Sequence, residues 1–155
     1  VVNLSKNHPD RAHASRLAAE RACRLLQKAG FPAEKLDAVA HAIEAHSFSA
    51  GIAPQTIEAQ IVQDADRLDA LGAVGLARLF YTAGRMDSAL AHADDPLGLQ
   101  RPLDDRRYAL DHIEVKLATL PASMQTDAGR RVGQQRLAWL KEFRSTFVAE
   151  WAADT

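Results

Sequence analysis

Three acids threaded through one helical stretch are the chain's strongest chemical signal. Residues 61–72, IVQDADRLDALG, carry Asp64, Asp66 and Asp69 among apolar neighbours. At about 100° per residue, Ile61, Val62, Ala65, Leu68 and Leu71 form one face. Asp64 projects between Leu68 and Leu71, and Asp69 between Ala65 and Val62. Asp66 stands just past the edge of that face, on the side of Asp69. A carboxylate in an apolar stripe is costly unless a cation, a metal or hydrogen-bond donors accompany it. Hard divalent ions such as Mg²⁺ and Mn²⁺ prefer carboxylate oxygen, and imidazole nitrogen extends the choice toward Mn, Fe or Zn. The same acids would carry no chemistry if they merely paired with arginines at helix contacts. Spacing alone leaves both readings open.

A second cluster lies in HAIEAHSFS, residues 41–49. His41 and Glu44 are three apart and so neighbours on a helix. His46 falls at the expected C-terminal end, where the helix dipole favours an imidazolium. A histidine there could ligate a metal or give a proton to a departing phosphate oxygen; an ordinary hydrogen-bonded histidine is the plainer alternative. In SKNHPD, residues 5–10, Lys6, Asn7 and His8 precede a helix start whose N–H groups suit an anion, although a polar capping turn reads equally well. In LDDRRYALDHIEVKL, Tyr108, His112 and Lys116 follow i, i+4 spacing. That ridge could grip phosphate or base, and a solvated flank explains it as cheaply.

The elements that must position these residues read as helices throughout. Pro9 opens a helix that ends at Gly30, with Ala14, Ala18, Ala22, Leu25 and Ala29 on one face. A second begins near Pro32, with Leu36, Val39, Ala40 and Ile43 as its stripe. FSAGIAPQT is a loop, and the acid-bearing helix starts around Pro54 to Thr56 and weakens near Gly72. AVGLARLFYTAG is a short helix ended by Gly84, and RMDSALAHA is expected to form another. Asp104 is placed to N-cap a helix over DRRYALDHIEVKLATL, which Pro121 stops. The last helix covers about 127–152 and turns Leu140, Phe143, Phe147 and Trp151 to a core.

Length and composition fit one soluble all-α domain. The 155 residues can bury a self-sufficient core. Nineteen basic against twenty acidic residues leave a formal charge of −1, so no bulk attraction to nucleic acid or an anionic membrane follows. A single cysteine, Cys23, excludes an intrachain disulfide and fits a reducing cytoplasm. No apolar run is long enough to span a bilayer. No Walker-type loop, dinucleotide fingerprint, G-x-S-x-G elbow or Cys/His zinc pattern occurs. Any phosphate handling must therefore use side chains, a metal and helix ends.

Taken together, NLSKNHPDRAHASRLAAE, AIEAHSFSAGIAPQTIEAQIVQDADRLDALGAVGLAR and RPLDDRRYALDHIEVKL resemble the HD-domain superfamily of metal-dependent phosphohydrolases. Within it, the chain looks like a bacterial subgroup of small nucleotide-hydrolysing proteins. The resemblance implies one HD-like helical domain of six to seven helices over residues 1–155. It also implies a divalent metal (Mn, Mg or another transition metal). The superfamily holds that metal with an early histidine, an adjacent His-Asp pair and a later aspartate in an A-D-x-L pattern. Here that pattern is Ala65-Asp66-Arg67-Leu68, so Asp66 is the implied metal ligand.

By the same resemblance, Asp64, His46 and Lys6 are the candidate catalytic side chains. Arg67, His41, His112 and Lys116 are the candidate substrate contacts. The implied substrates are phosphate esters or nucleotides, with nucleoside triphosphates cleaved to monophosphate and pyrophosphate. The sequence departs from the family at one point: it contains no His-Asp dipeptide. A start at Val1 without methionine leads to the expectation that N-terminal helices carrying the pair belong to a longer protein. The alternative is a helical domain that has lost catalysis and keeps a nucleotide-binding or regulatory role.

Overall fold

The computed structural model of the chain describes residues 13–47 and 50–153. Six α-helices and no β-strand occur among them, as expected for an all-α chain. The helices are α1 (Ala14–Lys28), α2 (Leu36–Ala45), α3 (Ile57–Asp69), α4 (Gly72–Arg85), α5 (Asp111–Val115) and α6 (Asp127–Ala153). The chain forms two compact units, Val1–Asp66 and Arg67–Thr155, with the border inside α3. No helix among the described residues is long and apolar enough to cross a membrane.

In the first unit, α1 packs on α2. α1 ends where glycine permits: Gly30 takes a left-handed φ of 77°. The Phe31 and Gly30 N–H groups then close onto the Leu26 and Gln27 carbonyls, which satisfies orphan acceptors of the last turn. The inward face of α1 differs from the sequence expectation, because Ser15 and Ala19 are buried whereas Leu25 is 59% exposed. Whether the helix begins at Pro9 lies outside the described residues. Thr56 precedes and caps α3, its Oγ1 accepting the Ala59 N–H at 3.2 Å. Among the described residues, the buried apolar side chains of this unit are alanines: Ala19 on α1, and a cluster of Ala42, Ala45 and Ala59 with Ile52 against it.

The larger correction concerns α3. Of its expected apolar face, Leu71 just beyond the helix is buried, but Ile61 and Val62 are 54% and 43% exposed. The inward positions are instead Ala59, Gln63 and Asp64. Hydropathy spacing misleads here because buried polar groups with hydrogen-bond partners can replace an apolar face.

The second unit has a conventional core. Leu71, Leu110, Ile113 and Leu140 are almost wholly buried, and Phe80, Phe143, Phe147 and Trp151 pack against that cluster. Trp139, Phe143, Phe147 and Trp151 recur every fourth residue of α6, and successive rings lie 5.4–6.2 Å apart.

Two helix expectations fail in this unit. α4 runs past Gly84 to Arg85, and Asp87 takes the left-handed position at φ 55°. The Ser88 N–H then reaches the Ala83 carbonyl at 3.0 Å. Residues 88–90 are not helical and pair with 107–110 through Ala89 N to Arg107 O, Ala109 N to Ala89 O and Leu110 N to Leu90 O, each 2.9 Å. Only Asp111–Val115 of the expected 105–120 helix is α-helical, followed by 3₁₀ turns. Asp104 caps a turn, accepting the Arg106 N–H at 3.0 Å, and not a long helix.

A buried ion pair organises the intervening loop. Arg101 donates twice to Asp111, at 2.6 and 2.8 Å, and Asp111 is fully buried. The Asp104 N–H also donates to Asp111 at 2.7 Å. The Arg101 guanidinium lies 4.5 Å from the Tyr108 ring centre. Its partnership with Asp111 pushes its pKa above the ordinary value.

Candidate functional site

The candidate residues divide between the units. His41, His46, Asp64 and Asp66 belong to the first; Arg67, His112 and Lys116 belong to the second. Lys6 lies outside the described residues.

In the first unit the C-terminal half of α2 and the length of α3 supply the chemistry. His46 is the residue that closes α2. Its Nδ1 lies 2.5 Å from the Ile43 carbonyl oxygen, so that nitrogen carries the proton and donates. In that tautomer Nε2 is the acceptor, the arrangement used by metal-ligating and general-base histidines. His41 has a different occupation. Its Nε2 accepts the Gln55 N–H at 2.9 Å, which ties the loop before α3 back to α2. That bond places the His41 proton on Nδ1 and gives the ring a positioning task.

The two aspartates of the A-D-x-L region point to different sides of α3. Asp64 is 3% exposed and is engaged by its surroundings. Asp66, two residues on and about 200° around the helix, is exposed. It makes no ion pair with any described residue.

Between His46 and these acids stands a residue that sequence reasoning missed. Gln63 is 3% exposed, and its Nε2 donates to the Ala45 carbonyl at 2.7 Å. A usable signal was present: Gln60, Gln63, Asp64 and Arg67 are spaced i, i+3, i+4, i+7, a polar stripe with helical period.

In the second unit the candidates are committed to local structure. Arg67 donates from Nη1 to the Ser123 carbonyl. Asp69, which the sequence left ambiguous, pairs with Arg78 at the surface. His112 Nδ1 lies 2.8 Å from Asp105 Oδ2. Tyr108, His112 and Lys116 do not share a helical ridge: Tyr108 forms a β-bridge with Ala89, and Lys116 closes the five-residue α5.

No three His, Cys, Asp or Glu side chains among the described residues come together as a metal site. Those residues therefore do not complete a ligand set, and Asp66 offers one carboxylate toward such a set.

Comparison with known proteins bears on this geometry. The HD domain family model matches residues 4–71. The uncharacterized protein YpgQ of Bacillus subtilis is 36% identical over 118 residues, covering 74% of this chain and 52% of YpgQ. The chain thus spans about half the length of that relative. The crystal structure of YpgQ in complex with ADP superposes with a TM-score of 0.70 at 32% identity, covering 94% of this chain and 66% of that one. A Lactobacillus plantarum protein of known structure gives 0.65 at 30% identity, covering 96% and 70%. An HD-superfamily hydrolase from Bacillus thuringiensis gives 0.68 at 30% identity, covering 88% and 63%.

Proposed function

The chain belongs to the HD-domain superfamily, and from that membership we propose that the protein is a metal-dependent phosphohydrolase acting on nucleotides, with nucleoside triphosphates as the favoured substrate class. HD-domain hydrolases generally use divalent metals. The ADP complex of YpgQ supports a nucleotide ligand here.

The observation that carries the reading is the split between neighbouring aspartates. Asp64 turns inward and is engaged, whereas Asp66, in the A-D-x-L pattern, presents a carboxylate outward. A bound divalent ion would supply charge neutralisation and a more acidic water. The chain's own contributions are simpler. Asp66 offers an oxygen ligand. His46, with its proton fixed on Nδ1, can accept a proton at Nε2 from water. Lys6, Arg67 and Lys116 are the cations proposed to offset phosphate charge. Arg67 can do so only through guanidinium hydrogens other than the one given to Ser123.

A second reading rests on the missing His-Asp dipeptide: a helical domain that binds nucleotide without hydrolysing it. One experiment separates the two. The natural polypeptide containing these residues is assayed on a nucleotide panel with Mn²⁺, Mg²⁺ or chelator, beside Asp66→Ala. Metal-dependent release of phosphate or pyrophosphate is expected, with Asp66→Ala losing more than the roughly 10–100-fold typical of an outer-sphere partner. Equal release by both proteins removes Asp66 from the mechanism. Nucleotide binding without turnover under any metal supports the second reading.

A further inference from the structure

We propose that Gln63 is a positioning residue: its hydrogen bond to the Ala45 carbonyl sets the register of α2 against α3, and thereby fixes where His46 stands relative to Asp66. The proposal rests on the functional reading of His46 and Asp66 given above.

The argument begins with what this contact lacks. The buried side chains of the first unit's cluster are Ala42, Ala45 and Ala59. Methyl groups allow close approach, but they offer no knob large enough to lock one helix against sliding along another. Among the described buried side chains, then, directional contacts are what can set register. Gln63 provides one, because its amide is 3% exposed and its Nε2 reaches the Ala45 oxygen at 2.7 Å. That oxygen belongs to the last turn of α2, where carbonyls lack helical partners. The bond therefore satisfies a buried donor and a helix-end acceptor together. Breaking it leaves both exposed to the cost of burial without a partner.

Position turns this bond into a functional one. Ala45 precedes His46 directly, and the His46 ring is itself anchored to the Ile43 carbonyl. Asp66 follows Gln63 by three residues, about 4.5 Å further along the axis. The path from imidazole to carboxylate thus crosses between helices at the Gln63–Ala45 contact. The His41–Gln55 hydrogen bond holds the loop leading into α3 and not the helix itself.

The test compares Gln63→Met, which keeps most of the volume and loses the donor, with Gln63→Glu. A neutral glutamic acid can donate to Ala45, and its carboxylate cannot. The readouts are the imidazole ¹H and ¹⁵N signals of His46, with His92 and His112 as references, and the steady-state constants of the natural protein. In folded Gln63→Met, the His46 signals should shift while the references stay. kcat should fall about 10–100-fold with KM within about twofold, the scale of outer-sphere effects. In Gln63→Glu both readouts should return toward parental values as pH falls, judged against the parent at each pH.

Parental His46 signals in folded Gln63→Met overturn the proposal. If that variant does not fold, a Gln63→Glu protein whose His46 signals track the parent equally at acid and neutral pH overturns it instead. An inactive parent, or an Asp66→Ala variant as active as the parent, defeats the functional reading. In that case the His46 signals still decide the role of Gln63.

Discussion

The two units are held together by different means. In the second, Leu110, Ile113 and Leu140 are entirely buried and a ladder of aromatic rings runs down α6. In the first, three alanines and part of Ile52 make the buried apolar cluster, while α3 turns Ile57, Ile61 and Val62 outward. Each buried methylene contributes about 0.8 kcal/mol, so leucine-sized side chains stabilise far more than alanines do. Packed volume therefore holds the second unit, and hydrogen bonds carry more of the burden in the first: Gln63 to Ala45, His41 to Gln55, His46 to Ile43. The difference teaches where chemistry is vulnerable. The residues with the best claim to catalysis stand on geometry that single polar contacts maintain, and a change far too small to unfold the protein can misplace them.

The largest expected effect probes a polar exception within the second unit, the buried Arg101–Asp111 pair. Asp111→Ala strips the partner from Arg101 in a fully buried site and should destabilise by about 3–5 kcal/mol, read from urea midpoints at unchanged slope. Replacing both residues with apolar ones should cost less than the single change. A loss under about 1 kcal/mol for Asp111→Ala would mean that the loop does not rely on this pair. Next comes a direct contrast between units. Leu110→Ala should cost about 2–5 kcal/mol, whereas Ile61→Ala, at a side chain 54% exposed, should stay within about 0.5 kcal/mol. Equal costs would show that the outer face of α3 is covered in the natural protein, and the comparison would fail.

Much of the helical framework could be read from sequence because its signals are local. Gly30 ends α1 by its own conformational freedom, Thr56 caps α3, and the stripe of Leu140, Phe143, Phe147 and Trp151 marks the core-facing side of α6. What could not be read depends on distant partners. RMDSALAHA has helical composition, yet residues 88–90 pair with 107–110. Asp104 looks like a helix cap, but the Asp111 that would follow in that helix is held by Arg101. On α3 the inward face is polar, which periodicity of apolar residues cannot register. Residue type alone was enough to nominate His46 and Asp66 as candidates, and the role proposed for Asp66 is the one the family resemblance implies. Gln63 was missed because glutamine carries no chemistry of its own: the polar stripe it belongs to marks a face of α3, and only its burial and its partner give it a task.

The smallest expected effect probes the second unit where it most resembles the first, in the loop before Arg101. Asp95 accepts the Leu99 N–H through Oδ1 and the Gln100 N–H through Oδ2, both at 2.9 Å. The backbone N–H groups of Gln100 and then Leu99 favour the charged carboxylate and hold its pKa below the ordinary value of 3.8. The folded pKa is thus depressed below that of the unfolded chain, about 3.9. The resulting stabilisation is present in full above the unfolded value and is lost as pH falls through the lower folded value. Asp95→Asn keeps the shape but removes the charge and one of the two acceptor oxygens, so its Tm should lie slightly below the parent's at neutral pH. The gap should close as pH drops below about 4. Thermal melts of both proteins across that range check the sign. A gap that persists unchanged into strong acid would mean that the lost acceptor oxygen, and not the carboxylate's charge, accounts for it. The loop would then rest on neutral hydrogen bonding, as the contacts of the first unit do.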